Sequence, residues 1–269
     1  MNPECFAFTL VSKCRMVCDY CPQKPLAKNY PKNAVTELSY ENFIKIVDKL
    51  PPYVHVHFSG FTEPFLNEAA PSMIAYAAIR RPTHIYTTLY GLNIRGLEII
   101  AMQPEFERVR FHLPDAGGRM KLPVDNKYLA ILNYALGDQS RAFEAKKVDF
   151  VCVGKLHPEV EKIVERHGAM SMWAGLGLNS RAQNVTVGKK VSVGGPITCK
   201  KHERLRENII MPNGDVQLCC SDFGLEEKIG NILHQEYDDI FSSPKFLHVL
   251  DRMKTGDIMC NSCEYAKGS

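Results

Sequence analysis

The chain has 269 residues, 45% of them hydrophobic, with 33 basic against 30 acidic side chains and a formal charge of +3. That length buries a full core without disulfide staples, and so even a charge balance leaves no electrostatic footprint for a polyanion such as nucleic acid. No apolar run approaches the roughly 18 residues that a bilayer span needs, and "CFAFTLV" at 5–11 is too short and lacks the basic lead of a secretory signal. A cytoplasmic protein with no membrane association is the expectation, and in a reducing compartment ten cysteines are read first as ligands.

From residue 5 to about 177, short β-rich runs alternate with amphipathic helical patterns, which predicts βα units on a parallel sheet. Strands are predicted at 5–11, 53–59, 83–90, 108–113, 147–153 and 170–176. A helix at 39–50 has Ser39 as its N-cap and Phe43, Ile44, Val47 and Leu50 on one face. Others follow near 69–80, 94–103, 127–136 and 158–167. Six strands with these helices predict an α/β fold, a partial (β/α)6 barrel, since a closed eightfold barrel takes about 250 residues. Its chemistry gathers at the C-terminal ends of the strands.

After Ala182 a Gly- and Val-rich connection runs to Pro196, and "NIIMPNGDVQLCC" reads as a β-hairpin turning at Asn213-Gly214. Helices near 234–242 and 244–254 and a cysteine tail complete the chain. The expected division is a barrel domain over 1–182, then 183–269 as a linker and a small metal-organised appendage of hairpin plus helices. The basic run Lys200, Lys201, Arg204 and Arg206 is interrupted by Glu203 and Glu207 and reads as a solvated face.

Seven cysteines form two sets. Cys14-x3-Cys18-x2-Cys21 follows the first strand, and its three thiolates can hold three irons of a four-iron cluster while leaving the fourth iron open. The alternative, a zinc knuckle, has no nearby histidine or further cysteine to close it. Cys199 and Cys219 bracket the hairpin and Cys260-x2-Cys263 returns from the tail, so four thiolates close a site for a 4Fe–4S cluster or for structural zinc. Cys5, Cys152 and Cys220 are left over, and spacing alone does not choose between Cys219 and Cys220.

The triplet after the first strand, with Tyr20 before its last cysteine, resembles the radical S-adenosylmethionine (SAM) superfamily. That resemblance implies that SAM's amino and carboxylate groups occupy the open iron, and that reductive cleavage of SAM gives a 5′-deoxyadenosyl radical. Four more stretches carry it. "FSGFTEPF" resembles the Gly-Gly-Glu-Pro element that holds SAM's amino group, matching at Gly60 and Glu63, and "TTLYG" resembles a Thr-Asn-Gly element at Thr88 and Gly91. "VRFHLPDA" resembles Val-Arg-Ile-Ser-Leu-Asp-Gly, which places His112 toward ribose or substrate and Asp115 just past the strand, where it binds a substrate hydroxyl or caps a loop. "NSRAQN" resembles Ser-Arg-Ala-Gly-Asn, which sends Arg181 to the SAM carboxylate or the substrate, with Asn179 a further polar candidate. His55 and His57 alternate on one strand face, at least one of them as packing.

Cys199-x14-Gly214-x4-Cys219 resembles the first half of a SPASM domain, and with one Cys-x2-Cys pair it is similar to the shortened twitch form. By that resemblance Cys219 is the ligand and there is one auxiliary 4Fe–4S cluster. The nearest resemblance is to members of the 2-deoxy-scyllo-inosamine dehydrogenase type, which implies oxidation of a secondary alcohol on a sugar or aminocyclitol, the auxiliary cluster taking the remaining electron. Epimerisation with Cys152 or Cys220 as hydrogen donor, peptide modification as in SPASM maturases, and a non-catalytic Fe–S scaffold are the alternatives. The implied partners are a polar small-molecule substrate and an electron donor such as flavodoxin or ferredoxin.

Overall fold

All four residues of β1 (Cys5–Phe8) are buried. Beside it in spatial order run β2 (His55–Phe58), β3 (Thr83–Thr87), β4 (Arg108–His112), β5 (Val148–Cys152) and β6 (Trp173–Gly175), every neighbouring pair parallel. The computed structural model describes residues 4–103, 106–137, 148–168, 173–175, 178, 180–186, 188, 190–200 and 207–268. Asn179 and the basic run from Lys201 to Arg206 lie outside the described residues.

The connecting helices are α1 (Gln23–Asn29), α2 (Tyr40–Lys49), α3 (Ala70–Ala78), α4 (Ile94–Ala101), α5 (Asn126–Leu136) and α6 (Pro158–Arg166). Ser39 caps α2 by accepting from the Asn42 N–H. Strand alternation sends Phe6, Phe8, Val56, Phe58, Ile85, Val109, Phe111 and Phe150 into the core, each no more than 1% exposed. Phe8 meets Phe43 of α2 with ring centroids 4.9 Å apart. The opposite face of the same strands carries His55, His57, His84, Tyr86, Arg110 and His112, a polar lining on the inside of an open barrel. There Arg110 donates to both carboxylate oxygens of Asp149, at 3.0 and 2.7 Å, and ties β4 to β5.

The C-terminal part contains β7 (Ile197–Cys199), β8 (Glu207–Ile210), β9 (Asp215–Gln217), β10 (Lys228–Asn231), α7 (Tyr237–Ser242), α8 (Pro244–Thr255) and β11 (Ala266–Gly268). β8 and β9 form the expected antiparallel hairpin, and Gly214 supplies the left-handed turn residue with φ of 82°. β8 also pairs in parallel with β1, from Cys5 opposite Glu207 to Phe8 opposite Ile210, so the hairpin and β10 extend the barrel sheet to nine strands. Nothing in the local sequence pattern announces that pairing. Phe6 of β1 then packs on Tyr237 and Phe241 of α7. β11 pairs with β7, Ala266 opposite Cys199, which returns the tail cysteines to the start of the C-terminal part. Among the described residues no helix is long and apolar enough to cross a membrane.

Candidate active site

The loop after β1 carries Cys14, Cys18 and Cys21 to the C-terminal end of the sheet, and Gln23 fastens it. The Gln23 amide donates to Cys21 Sγ at 3.3 Å and to the Phe61 carbonyl at 2.7 Å, while its oxygen accepts from the Cys14 N–H at 3.2 Å. The Lys121 N–H donates to Cys18 Sγ at 3.4 Å, the Tyr20 hydroxyl also bonds Cys18, and the N–H groups of Glu63 and Met16 serve Cys14. Burial raises all three thiols above their ordinary range, Cys21 to about 11. They are therefore protonated until a cation displaces the protons, which is how thiolate sites load.

One cavity is lined by all three cysteines together with Met16, Tyr20, Gln23, Gly60, Glu63, Thr88, His112, Arg181 and Phe223. Its walls come from the ends of β1, β2, β3 and β4, from the turn after residue 180, and from the C-terminal part through Phe223. Gly60 is there because a side chain would strike Thr9 and the Phe8 carbonyl within 2.5 Å. It lets the end of β2 lie on the end of β1.

Glu63 is buried, and its carboxylate is aimed by the two threonines at the end of β3. Oε1 accepts from the Thr87 hydroxyl at 2.5 Å, and Oε2 accepts from both the N–H and the hydroxyl of Thr88 at 2.7 Å. Burial raises its pKa while these donors oppose the rise. Arg181 sits on a turn in which three successive non-glycine residues, Arg181, Ala182 and Gln183, take left-handed φ of 51°, 54° and 61°. Such residues cost on the order of 1 kcal/mol each and persist where surroundings hold them. Here the turn is held by the Asn184 side chain on the Arg181 carbonyl at 2.8 Å, and by the Glu264 carboxylate, which accepts from the Ser180 N–H.

Burial, with Arg110 and Arg181 adding to it, pushes His112 down to about 4, so its ring is neutral at physiological pH. The folded chain then binds fewer protons here than the unfolded chain between pH about 4 and about 6.5, and stability must fall as pH drops through that window. From pH 7 to pH 5 a His112→Asn variant should lose about 2 kcal/mol less stability than the parent, because about 1.5 pH units of that interval lie below the unfolded value. An unchanged slope would mean that the fold does not hold His112 neutral.

Three of the expected site residues lie elsewhere. Asp115 does not line the cavity: its two oxygens accept from the Arg119 and Met120 N–H groups at 3.1 and 2.8 Å, so the carboxylate closes its own loop. Cys152 is 2% exposed, with its thiol 3.6 Å from the Lys155 carbonyl. Cys220 packs with Ala7, Phe61, Ile209 and Phe223 and is not among the residues that line the cavity. Sequence reading missed Gln23, Thr87, Phe223 and Glu264. The Thr-Thr doublet was a usable signal, since two adjacent hydroxyls at a strand end beside a predicted carboxylate are natural donors; the other three carry none.

The second cysteine set lines a separate small cavity. Cys199, Cys219, Cys260 and Cys263 surround it with Ile197, Met253, Met259 and Ala266, and Cys220 is not among its walls. The Ser221 N–H donates to Cys219 Sγ at 3.4 Å, and burial plus the neighbouring thiols raises Cys260 to about 12. Among the described residues, neither cysteine set brings three sulfurs within 4.8 Å of one another. Thiolates sharing one zinc at about 2.3 Å lie under about 4 Å apart. The donor chemistry and the spacing at both places therefore fit a multi-iron cluster better than a single ion.

Residues 199–264 match the family model of the SPASM iron-sulfur cluster-binding domain. No curated protein matches the chain by sequence. Among solved structures, BtrN in complex with AdoMet and 2-DOIA is similar at TM-score 0.65 and 16% identity, over 100% of this chain and 95% of that one. Streptococcus suis SuiB bound to the precursor peptide SuiA is similar at TM-score 0.63 and 12% identity, over 97% and 70%. anSMEcpe with AdoMet and the Cp18Cys peptide gives 0.56 and 12%, over 98% and 87%. Identities this low establish the fold alone: the chain is folded like these structures, similar to radical SAM folds, and its residues 199–264 match a SPASM-type iron–sulfur cluster-binding domain.

Proposed function

We propose that the chain is a radical SAM oxidoreductase that dehydrogenates a secondary alcohol on a polar, sugar-like or aminocyclitol substrate. The observation that carries this reading is the single cavity that joins the Cys14, Cys18 and Cys21 thiols to Glu63, His112 and Arg181. The three thiolates would hold a 4Fe–4S cluster, which with SAM bound would supply a radical able to abstract a hydrogen atom. The residues do the rest. Glu63, aimed by Thr87 and Thr88, holds an ammonium group; Arg181 offers a forked guanidinium to a carboxylate; the neutral His112 ring accepts a hydrogen bond from the hydroxyl to be oxidised. Cys199, Cys219, Cys260 and Cys263 would hold a second cluster, a group able to accept one electron when bound. Cys219, not Cys220, is the ligand assigned.

Dehydrogenation is favoured over epimerisation because Cys152 and Cys220, the thiols available to return a hydrogen atom, do not line this cavity. Peptide modification is a second reading. A wide cleft of about 830 Å³ flanks the cysteine loop, bordered by Lys13, Arg15, Glu37, Glu68 and Asp125, with room for a peptide. Anaerobic turnover with SAM, reductant and a panel of aminocyclitols and sugars should give a product lighter by two hydrogens, retained in Cys152→Ala and Cys220→Ala. A product of unchanged mass that gains one deuterium from heavy water, and loses that gain when either cysteine is replaced, would overturn the reading in favour of epimerisation.

A further inference from the structure

At the opposite end of the sheet from the cysteine loop, four side chains with no part in the proposed chemistry come together. His55 opens β2, His57 follows on the same face, His84 of β3 stands directly opposite His57, and Glu107 immediately precedes β4. The Glu107 N–H donates to the Thr83 carbonyl, which fixes its place beside β3. Strand direction separates this group from the active site: the chain leaves it along β1, β2 and β3 and reaches Cys14, Gly60 and Thr88 only past their far ends.

We propose that His55, His57 and His84, with Glu107 as fourth donor, form a binding site for one zinc-class divalent ion at this N-terminal mouth of the barrel. One ring nitrogen from each of the three histidines lies within 4.8 Å of the others. A single carboxylate oxygen, Glu107 Oε2, stands 2.8 Å from His84 Nε2 and 3.0 Å from His55 Nδ1. Donors bound to a tetrahedral zinc at about 2.0–2.1 Å are themselves a little over 3 Å apart, so Glu107, His84 and His55 are near that spacing, while His57, whose ring stacks on that of His84 with centroids 4.2 Å and planes 12° apart, turns to bring its nitrogen to the same ion.

His57 is the sign that something is to be bound. Its side chain is 11% exposed, yet neither ring nitrogen has a hydrogen-bond partner, and buried polar groups are nearly always satisfied. Its Nδ1 is 3.8 Å from Glu207 Oε1, placed as the outer carboxylate that orients a ligating histidine. That leaves Nε2 for the ion. Three imidazoles and a carboxylate suit zinc; calcium and magnesium take oxygen shells and iron–sulfur clusters take thiolates. His55 and Glu107 have side chains 35% and 40% exposed, so the ion has access from solvent. A rival set, Cys5, His57 and Glu207, is equally close-spaced, but it is sealed under a buried Cys5, and no carboxylate stands against two of its members as Glu107 stands against His55 and His84.

Bound there, the ion joins β2, β3 and the start of β4 at the open end of the barrel. The test uses the full chain with its clusters reconstituted, incubated with zinc sulfate and freed of loose metal by gel filtration. Metal analysis should give about one zinc per chain in addition to the iron, and zinc-edge X-ray absorption should show nitrogen and oxygen at about 2.0–2.1 Å with an imidazole signature. His55→Ala, at a half-exposed position that tolerates truncation, and His57→Gln should each weaken zinc retention at least tenfold with iron unchanged. Zinc should raise the melting temperature of the parent and of neither variant. Failure to retain zinc, a sulfur shell at about 2.3 Å, or retention in both variants overturns the proposal. So does loss of zinc in Cys5→Ala with retention in His55→Ala, which would assign the ion to the rival set.

Discussion

Replacing Cys14, Cys18 and Cys21 together by alanine should lower reconstituted iron from about eight to about four per chain and abolish reductive SAM cleavage. The expectation rests on the two thiol sets lining different cavities, one at the end of β1 and one between β7, β9 and the tail. The loop is also held by bonds that do not involve sulfur, including Gln23 on the Phe61 carbonyl and the Asp19 N–H on the Arg119 carbonyl. The triple variant should therefore fold and keep its C-terminal cluster. Iron analysis and 5′-deoxyadenosine formation decide it. Loss of nearly all iron would mean that the second site cannot load alone, and retention of eight would remove the triplet as ligands.

The second large effect is expected at Glu63. Glu63→Gln removes the charge that pairs with an ammonium, a charge-assisted bond of about 1.5–3 kcal/mol, so SAM affinity should fall roughly 10- to 100-fold while iron is unchanged. The structure adds a cost. Both carboxylate oxygens already accept, from Thr87, Thr88 and Phe65, so either orientation of a glutamine amide turns its NH2 toward a donor. Stability should drop by about 1–3 kcal/mol as well. Thr88→Val keeps the Thr88 N–H and loses only the hydroxyl, so it should weaken SAM binding less than Glu63→Gln does. Equal SAM affinity in parent and Glu63→Gln, measured by calorimetry on samples matched for iron, would take the carboxylate out of the site.

The six barrel strands and most helices could be read because their patterns are local: alternation in β3, a capped amphipathic stripe in α2, Asn213-Gly214 between two apolar runs. The two thiol sets were readable for the same reason, as spacing along the chain. What escaped depends on contacts between distant segments. The parallel pairing of β8 with β1 leaves no periodic mark, since a strand buried on both sides looks alike whichever neighbour it takes. Asp115 failed as a site residue because a carboxylate after a strand can equally satisfy its own loop, and Cys152 because strand alternation turned it from the cavity. The histidine group was half visible. His55 and His57 declared a shared face, but only the register that sets His84 opposite His57 and the placement of Glu107 beside them make a constellation.

The pairing of β8 with β1 also bears on the order in which the molecule is assembled. β1 emerges from the ribosome well before its partner, since the strand that covers its outer edge lies about 200 positions later, with β8 beginning at Glu207. Until then one row of β1 backbone groups is open, and open edges invite pairing with other chains. Closing so long a loop is slow and late. Ending the chain at residue 182 would make that transient edge permanent, so such a fragment is expected to aggregate where the whole chain stays monodisperse.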